Sequence, residues 1–137
     1  MDKNQILEFV KKQTLAVLST VTPDSKSQSA VMAIAVTNNW QILMSTEAET
    51  RKVSNLKNNP SSSLIIGGLE SPSIQLDGQT IITSGPEAES VKAQILAIHP
   101  DTKDYLTSTS VFLKFIPSWL RYSDFSQSSP VVVEINF

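Results

Sequence analysis

The sequence predicts a mainly β fold, a closed or nearly closed antiparallel barrel with a few short helices. Short runs rich in Val, Ile, Leu and Thr recur along the 137 residues, each bounded by Pro, Asn, Asp or Gly. Few segments carry helical spacing, and those are brief. No repeat or long low-complexity stretch divides the chain, so residues 1–137 are expected to form one domain around one core.

In chain order, Asp2 with Gln5 three residues later reads as a helix start, and Ile6, Leu7, Phe9 and Val10 give the apolar side of a helix to about Lys12. Residues 15–21 favour a strand. It ends at Thr22-Pro23-Asp24-Ser25, where Pro presets φ and Asp can bond its own backbone. Residues 29–36 and 41–45 read as the strands of a hairpin turning at Asn38-Asn39, which tolerate left-handed geometry. Residues 50–58 turn helical: Val53 and Leu56 are three apart, Lys57 sits near the end, and Asn58-Asn59-Pro60 stops the run. Residues 63–66 and 73–83 return to strand, with a bulge expected at Asp77-Gly78. Pro86 suits the first turn of a third helix with a stripe of Val91, Ile95, Leu96 and Ile98. Residues 111–116 and 131–137 are the closing strands, with Trp119, Tyr122 and Phe125 in the segment between them.

Composition removes several kinds of chemistry. Eleven Lys+Arg against thirteen Asp+Glu give a net charge of −2, which offers no footprint for a nucleic-acid backbone. The absence of cysteine excludes disulfides, thiolate nucleophiles and cysteine-ligated metals, and suits a cytoplasmic setting. One histidine, His99, cannot build a multi-histidine metal site. Four glycines, with Gly67-Gly68 the one adjacent pair, leave no P-loop or dinucleotide fingerprint. The charged N-terminal residues fit neither a signal peptide nor a membrane span. Any redox or group-transfer chemistry is therefore expected to come from a bound cofactor, with no catalytic side chain assigned.

The informative stretch is 45–60. Arg51 and Lys52 fall in the first turn of a helix, where two cations oppose the macrodipole by roughly 0.3–1 kcal/mol each. Two readings follow. Glu47 and Glu49 neutralise the pair on a solvated surface, or an anion such as phosphate takes the helix N–H groups, the Thr50 hydroxyl and both cations together.

The order of these pieces resembles the pyridoxamine 5′-phosphate oxidase-like FMN-binding split barrels. Thr46, then Thr50-Arg51-Lys52-Val53, Asn55-Leu56 and Asn59-Pro60, is similar to that family's threonine, short loop, Ser/Thr-Arg-Lys and helix ending in Asn-Pro. Residues 74–79 resemble the barrel strand that carries a glycine at this point, and the order holds from about residue 5 to 85. The resemblance implies a split-barrel homodimer with FMN in grooves between subunits, a deazaflavin or haem being the alternative cofactors. It implies that Thr46, Thr50, Arg51 and Lys52 hold the phosphate, that Met32 and Gln75 lie near the ring, and that Trp119 or Tyr122 reaches across from the partner. The glutamine expected near the ring aligns closer to Ser73 than to Gln75.

The departures narrow the chemistry. Members that oxidise pyridoxamine phosphate carry Arg and Lys on the second long strand and a basic C-terminal segment; residues 29–36 here contain no cation and the chain ends Val131 to Phe137. Vitamin B6 oxidation is thus disfavoured, and the expectation is a flavin-dependent oxidoreductase of unknown substrate, or a non-catalytic flavin- or haem-binding carrier or sensor. His99 reads as a helix C-terminal residue, with proton donor or haem ligand as alternatives. Gly67-Gly68 reads as a strand terminus or a point of close backbone approach.

Overall fold

The computed structural model describes residues 1–68 and 70–137. α1 (Lys3–Lys11) is followed by β1 (Leu15–Val21), β2 (Ser27–Ala33), β3 (Ala35–Val36) and β4 (Ile42–Glu47). Next come α2 (Arg51–Asn58), β5 (Ser61–Gly67), β6 (Ser73–Ile82) and α3 (Gly85–Ile98). A 3-10 turn (Pro100–Tyr105), β7 (Ser110–Asp124) and β8 (Val131–Asn136) complete the chain. The described strands form one curled antiparallel sheet in the order β2-β1-β5-β6-β7-β4-β3, with β8 also paired to β7.

Alternation sets the two faces of this sheet. Ala16 and Leu18 of β1, Leu64 and Ile66 of β5, and Ile74 and Leu76 of β6 point to the concave side, all 3% exposed or less. α1 lies in that concavity with Ile6, Leu7 and Val10 buried, and Phe9 meets Tyr122 edge-on at 5.8 Å. Its start is the full capping box, Gln5 N–H donating to Asp2 and Asp2 N–H to Gln5 Oε1, both at 2.8 Å. α3 covers a second, smaller core of Ala35, Leu43, Val91, Ile95 and Phe112. At its end His99 Nε2 lies 2.9 Å from the Ile34 carbonyl oxygen, so the ring fastens the helix terminus to the barrel.

Three expected elements differ. The single strand over 29–36 starts at Ser27 and breaks at Ile34, because β2 pairs with β1 only as far as Ala33 and the chain then crosses to pair with β4. The hairpin that follows takes its left-handed residue at Trp40 (φ 68°) rather than at Asn38 or Asn39. The Trp40 ring is buried against Phe137, a core contact that outweighs local preference. Trp119 and Tyr122 lie inside β7, not between strands. β7 passes through Pro117 because β4 pairs with residues up to Phe115 and β8 from Trp119 onward, leaving Pro117 no partner on that side. On its other side Pro117 faces Gly78, at the expected bulge in β6. A Cβ on Gly78 would sit 2.2 Å from the Ile116 carbonyl oxygen, so only glycine fits this crossing.

Candidate functional site

α2 opens where β4 ends. Thr50 is its N-cap, with extended backbone, but its hydroxyl donates to the Glu47 carbonyl oxygen at 3.0 Å and does not cap the helix. The leading N–H groups of α2 therefore have no side-chain acceptor among the described residues. Lys52 Nζ donates to Thr46 Oγ1 at 3.2 Å, and burial pushes the Lys52 pKa below its ordinary 10.5. Arg51 is exposed, and among the described residues neither cation forms an ion pair.

Glu47 is engaged elsewhere. Its carboxylate accepts from the hydroxyls of Thr109 at 2.6 Å, Thr107 at 2.9 Å and Ser110 at 3.2 Å. These bonds, Thr109 first, hold its pKa below the usual carboxylate range. The reading in which Glu47 neutralises Arg51 and Lys52 is thus not realised, and Glu49 lies at the same cavity without pairing to either.

Glu49, Thr50, Arg51 and Lys52 form one wall of a cavity of about 380 Å³; Leu18, Thr20, Gln28, Ser29 and Ala30 form the other. Register explains the second wall: Thr20 pairs with Gln28, and Leu18 with Ala30. Asn55, 6% exposed, joins the two walls, its Nδ2 donating to Thr20 Oγ1 at 3.0 Å and to Gln28 Oε1 at 2.9 Å. Sequence reasoning missed Thr20, Gln28 and Asn55 as part of this site. The available signals were a polar residue continuing the inward positions of Ala16 and Leu18, and a polar residue between buried Val53 and Leu56.

The structure brings Thr50, Arg51 and Lys52 together on the cavity wall, and Thr46, which does not line the cavity, is tied to them by the Lys52 bond. Three other expected residues lie apart. Met32 shares its face with Gln28 and Ala30 but falls farther along β2, opposite Ala16, and packs in the core at 5% exposure rather than lining the cavity. Gln75 and Trp119 occupy the convex face, where one row runs Val31, Val17, Ile65, Gln75, Arg121 and Glu134 across the sheet. Trp119 stands in the next row, opposite Asp77. This face exposes aliphatic side chains: Leu15 by 58%, Val31 by 68% and Ile65 by 43%.

A curled antiparallel barrel with an unpaired Arg-Lys helix start facing a cavity is the architecture of a split barrel. The sequence profile of pyridoxamine 5′-phosphate oxidase matches residues 3–124, and the chain belongs to that family. Its fold is similar to general stress protein 26 from Bacillus anthracis at 22% identity and TM-score 0.76, covering 98% of this chain and all of that one. A heme-binding protein from Mycobacterium smegmatis is similar at 14% identity and TM-score 0.77 over 95% of this chain, which spans 56% of that longer protein. A pyridoxamine 5′-phosphate oxidase-related, FMN-binding protein from Nostoc punctiforme is similar at 10% identity and TM-score 0.66, covering 97% of this chain and 91% of that one. No curated protein matches the chain in sequence. Among the described residues, no helix is long and apolar enough to cross a membrane.

Proposed function

We propose that the chain is an FMN-dependent oxidoreductase that holds the flavin phosphate in the α2 cavity and works as a homodimer. The observation that carries this reading is the pair of unpaired cations beside uncapped helix N–H groups at the cavity wall. Phosphate fits that donor set, to which no carboxylate of the described residues is paired. Arg51 and Lys52 would neutralise it. Thr46, whose oxygen already accepts from Lys52, keeps its own hydroxyl proton for the ligand. Thr50 has committed its proton to Glu47, so its contribution is to shape the loop. Bound FMN would supply the redox chemistry, and no side chain here is assigned as a catalytic acid or base.

The dimer reading rests on the convex face. A second copy packed there would cover Leu15, Val31 and Ile65, and would bring Gln75 and Trp119 into the interface. Val31→Asp is expected to shift the protein from dimer to monomer in sedimentation velocity; a dimer of unchanged strength overturns this use of the face.

The site test is the double change Arg51→Ala/Lys52→Ala, with FMN affinity read by quenching of flavin fluorescence. Unchanged affinity overturns the assignment. A second reading, a flavin carrier or sensor without turnover, is favoured by the cavity's β2 wall of Gln28, Ser29 and Ala30, which brings no charge. Deazaflavin fits the same phosphate wall, and titration beside FMN separates the two. Haem has weaker support, because the His99 ring is already bonded at the Ile34 carbonyl. The absorbance spectrum of purified protein distinguishes flavin from haem.

A further inference from the structure

The uncharged wall of the α2 cavity has a feature that the family resemblance does not assign. We propose that Gln28 is a neutral ligand-contacting donor and that Asn55 is the positioning residue that aims it; this rests on reading the cavity as a phosphate site. Asn55 Nδ2 has two hydrogens, and both are committed, one to Thr20 Oγ1 and one to Gln28 Oε1. The Gln28 oxygen is thereby occupied. Its NH2 is the end of the amide without a protein acceptor among the described residues, and Gln28 lines the cavity. Its two N–H groups are amide donors on this wall, beside the Thr20 hydroxyl and across from Arg51 and Lys52.

The placement of Asn55 explains how the two walls are coordinated. It stands one helical turn after Arg51, so the helix that carries the cations also fixes the amide on β2. Asn55 and Thr20 are 6% and 4% exposed. An aliphatic side chain at 55 would continue the buried face of Val53 and Leu56, whereas buried amide and hydroxyl groups are destabilising unless they are bonded. The network leaves no buried side-chain polar atom unsatisfied among the described residues. The outcome is a phosphate cavity with charge on one wall and an oriented, uncharged donor on the other.

The experiment compares FMN with riboflavin, which lacks the phosphate, in wild type, Gln28→Leu, Asn55→Ala and the double variant. Side-chain amide NMR signals of Gln28 are followed during FMN and inorganic phosphate titrations. Each single change is expected to weaken FMN about tenfold and leave riboflavin unchanged, as befits one hydrogen bond to a charged acceptor. Asn55→Ala should add little in the Gln28→Leu background, since it acts through Gln28. A purely structural role would move Tm and both flavins alike. An FMN-to-riboflavin ratio unaltered by Gln28→Leu, with Gln28 amide signals unmoved by bound FMN, overturns the proposal. Should wild type not prefer FMN over riboflavin, the reading of the cavity as the site of a flavin phosphate fails, and whether Gln28 donates to a phosphate there is then decided by inorganic phosphate: moving Gln28 amide signals support the proposal and static ones overturn it.

Discussion

Glu47 and Lys52 stand on either side of one short loop and end in opposite electrostatic conditions. Glu47 closes on its own chain: three hydroxyls from the segment leading into β7 surround its carboxylate. Lys52 and its neighbour Arg51 have no carboxylate partner among the described residues, and Lys52 reaches only a threonine hydroxyl. Elsewhere a cation on the same sheet is satisfied internally, as Lys114 is by Glu87 at 3.0 Å. Local charge balance therefore accounts for Glu47 and Lys114 but not for the start of α2. Two cations at a helix N-terminus without an ion-pair partner among the described residues are a standing electrostatic cost, which a bound anion would remove.

The largest expected effect comes from deleting that cost together with its use. Arg51→Ala/Lys52→Ala should weaken FMN by at least about a hundredfold, since each lost charge-assisted bond is worth roughly 1.5–3 kcal/mol. The same change should leave Tm equal or slightly higher, because it removes two charges that oppose the helix dipole by roughly 0.3–1 kcal/mol each. A protein destabilised by the double change, with FMN binding intact, would place these cations with Glu47 as structural groups.

A smaller effect follows from Lys52 titration, with opposite signs in the free and bound protein. Burial lowers its pKa below 10.5 in the folded chain, so between the two values the unfolded chain binds more protons than the folded one. Lys52 then contributes a rise in stability of the unliganded protein as pH climbs through that interval. FMN affinity should fall over the same interval, as the ammonium proposed to hold the phosphate loses its proton. Chemical denaturation and fluorescence titration at matched pH measure the two trends, and Lys52→Met should flatten both.

What the sequence made legible divides along the same line between local and non-local causes. The Asp2–Gln5 box, the turn after β1 and the Gly78 bulge depend on residues within a few positions of one another, and each appears where it was expected. The Arg51-Lys52 helix start was equally visible. Its electrostatic state was not, because that depends on Thr107, Thr109 and Ser110, some sixty residues from Glu47. The same holds for β7. Pro117 reads as a strand end until β4 and β8 are known to leave a gap opposite it. Gln28 and Asn55 join across twenty-seven positions by an amide contact that spacing along the chain does not encode.

The smallest expected effect is the sharpest on the comparison itself. Glu47→Gln keeps the size of the side chain but removes the charge that the three hydroxyls stabilise. Its folded-state pKa is lowered, so its contribution to stability is fully present above the ordinary value of 4.5 and is lost as pH falls through the folded value. Thermal melts should therefore place Glu47→Gln slightly below wild type near neutral pH, with the two converging in acid. FMN affinity near neutral pH should not change, because the Glu47 carboxylate is bonded to the β7 side and does not line the cavity. Were Glu47 instead the counter-charge of Arg51 and Lys52, its removal would strengthen FMN binding. Melting curves and one flavin titration on this variant thus separate a carboxylate that holds the loop to β7 from one that competes with phosphate.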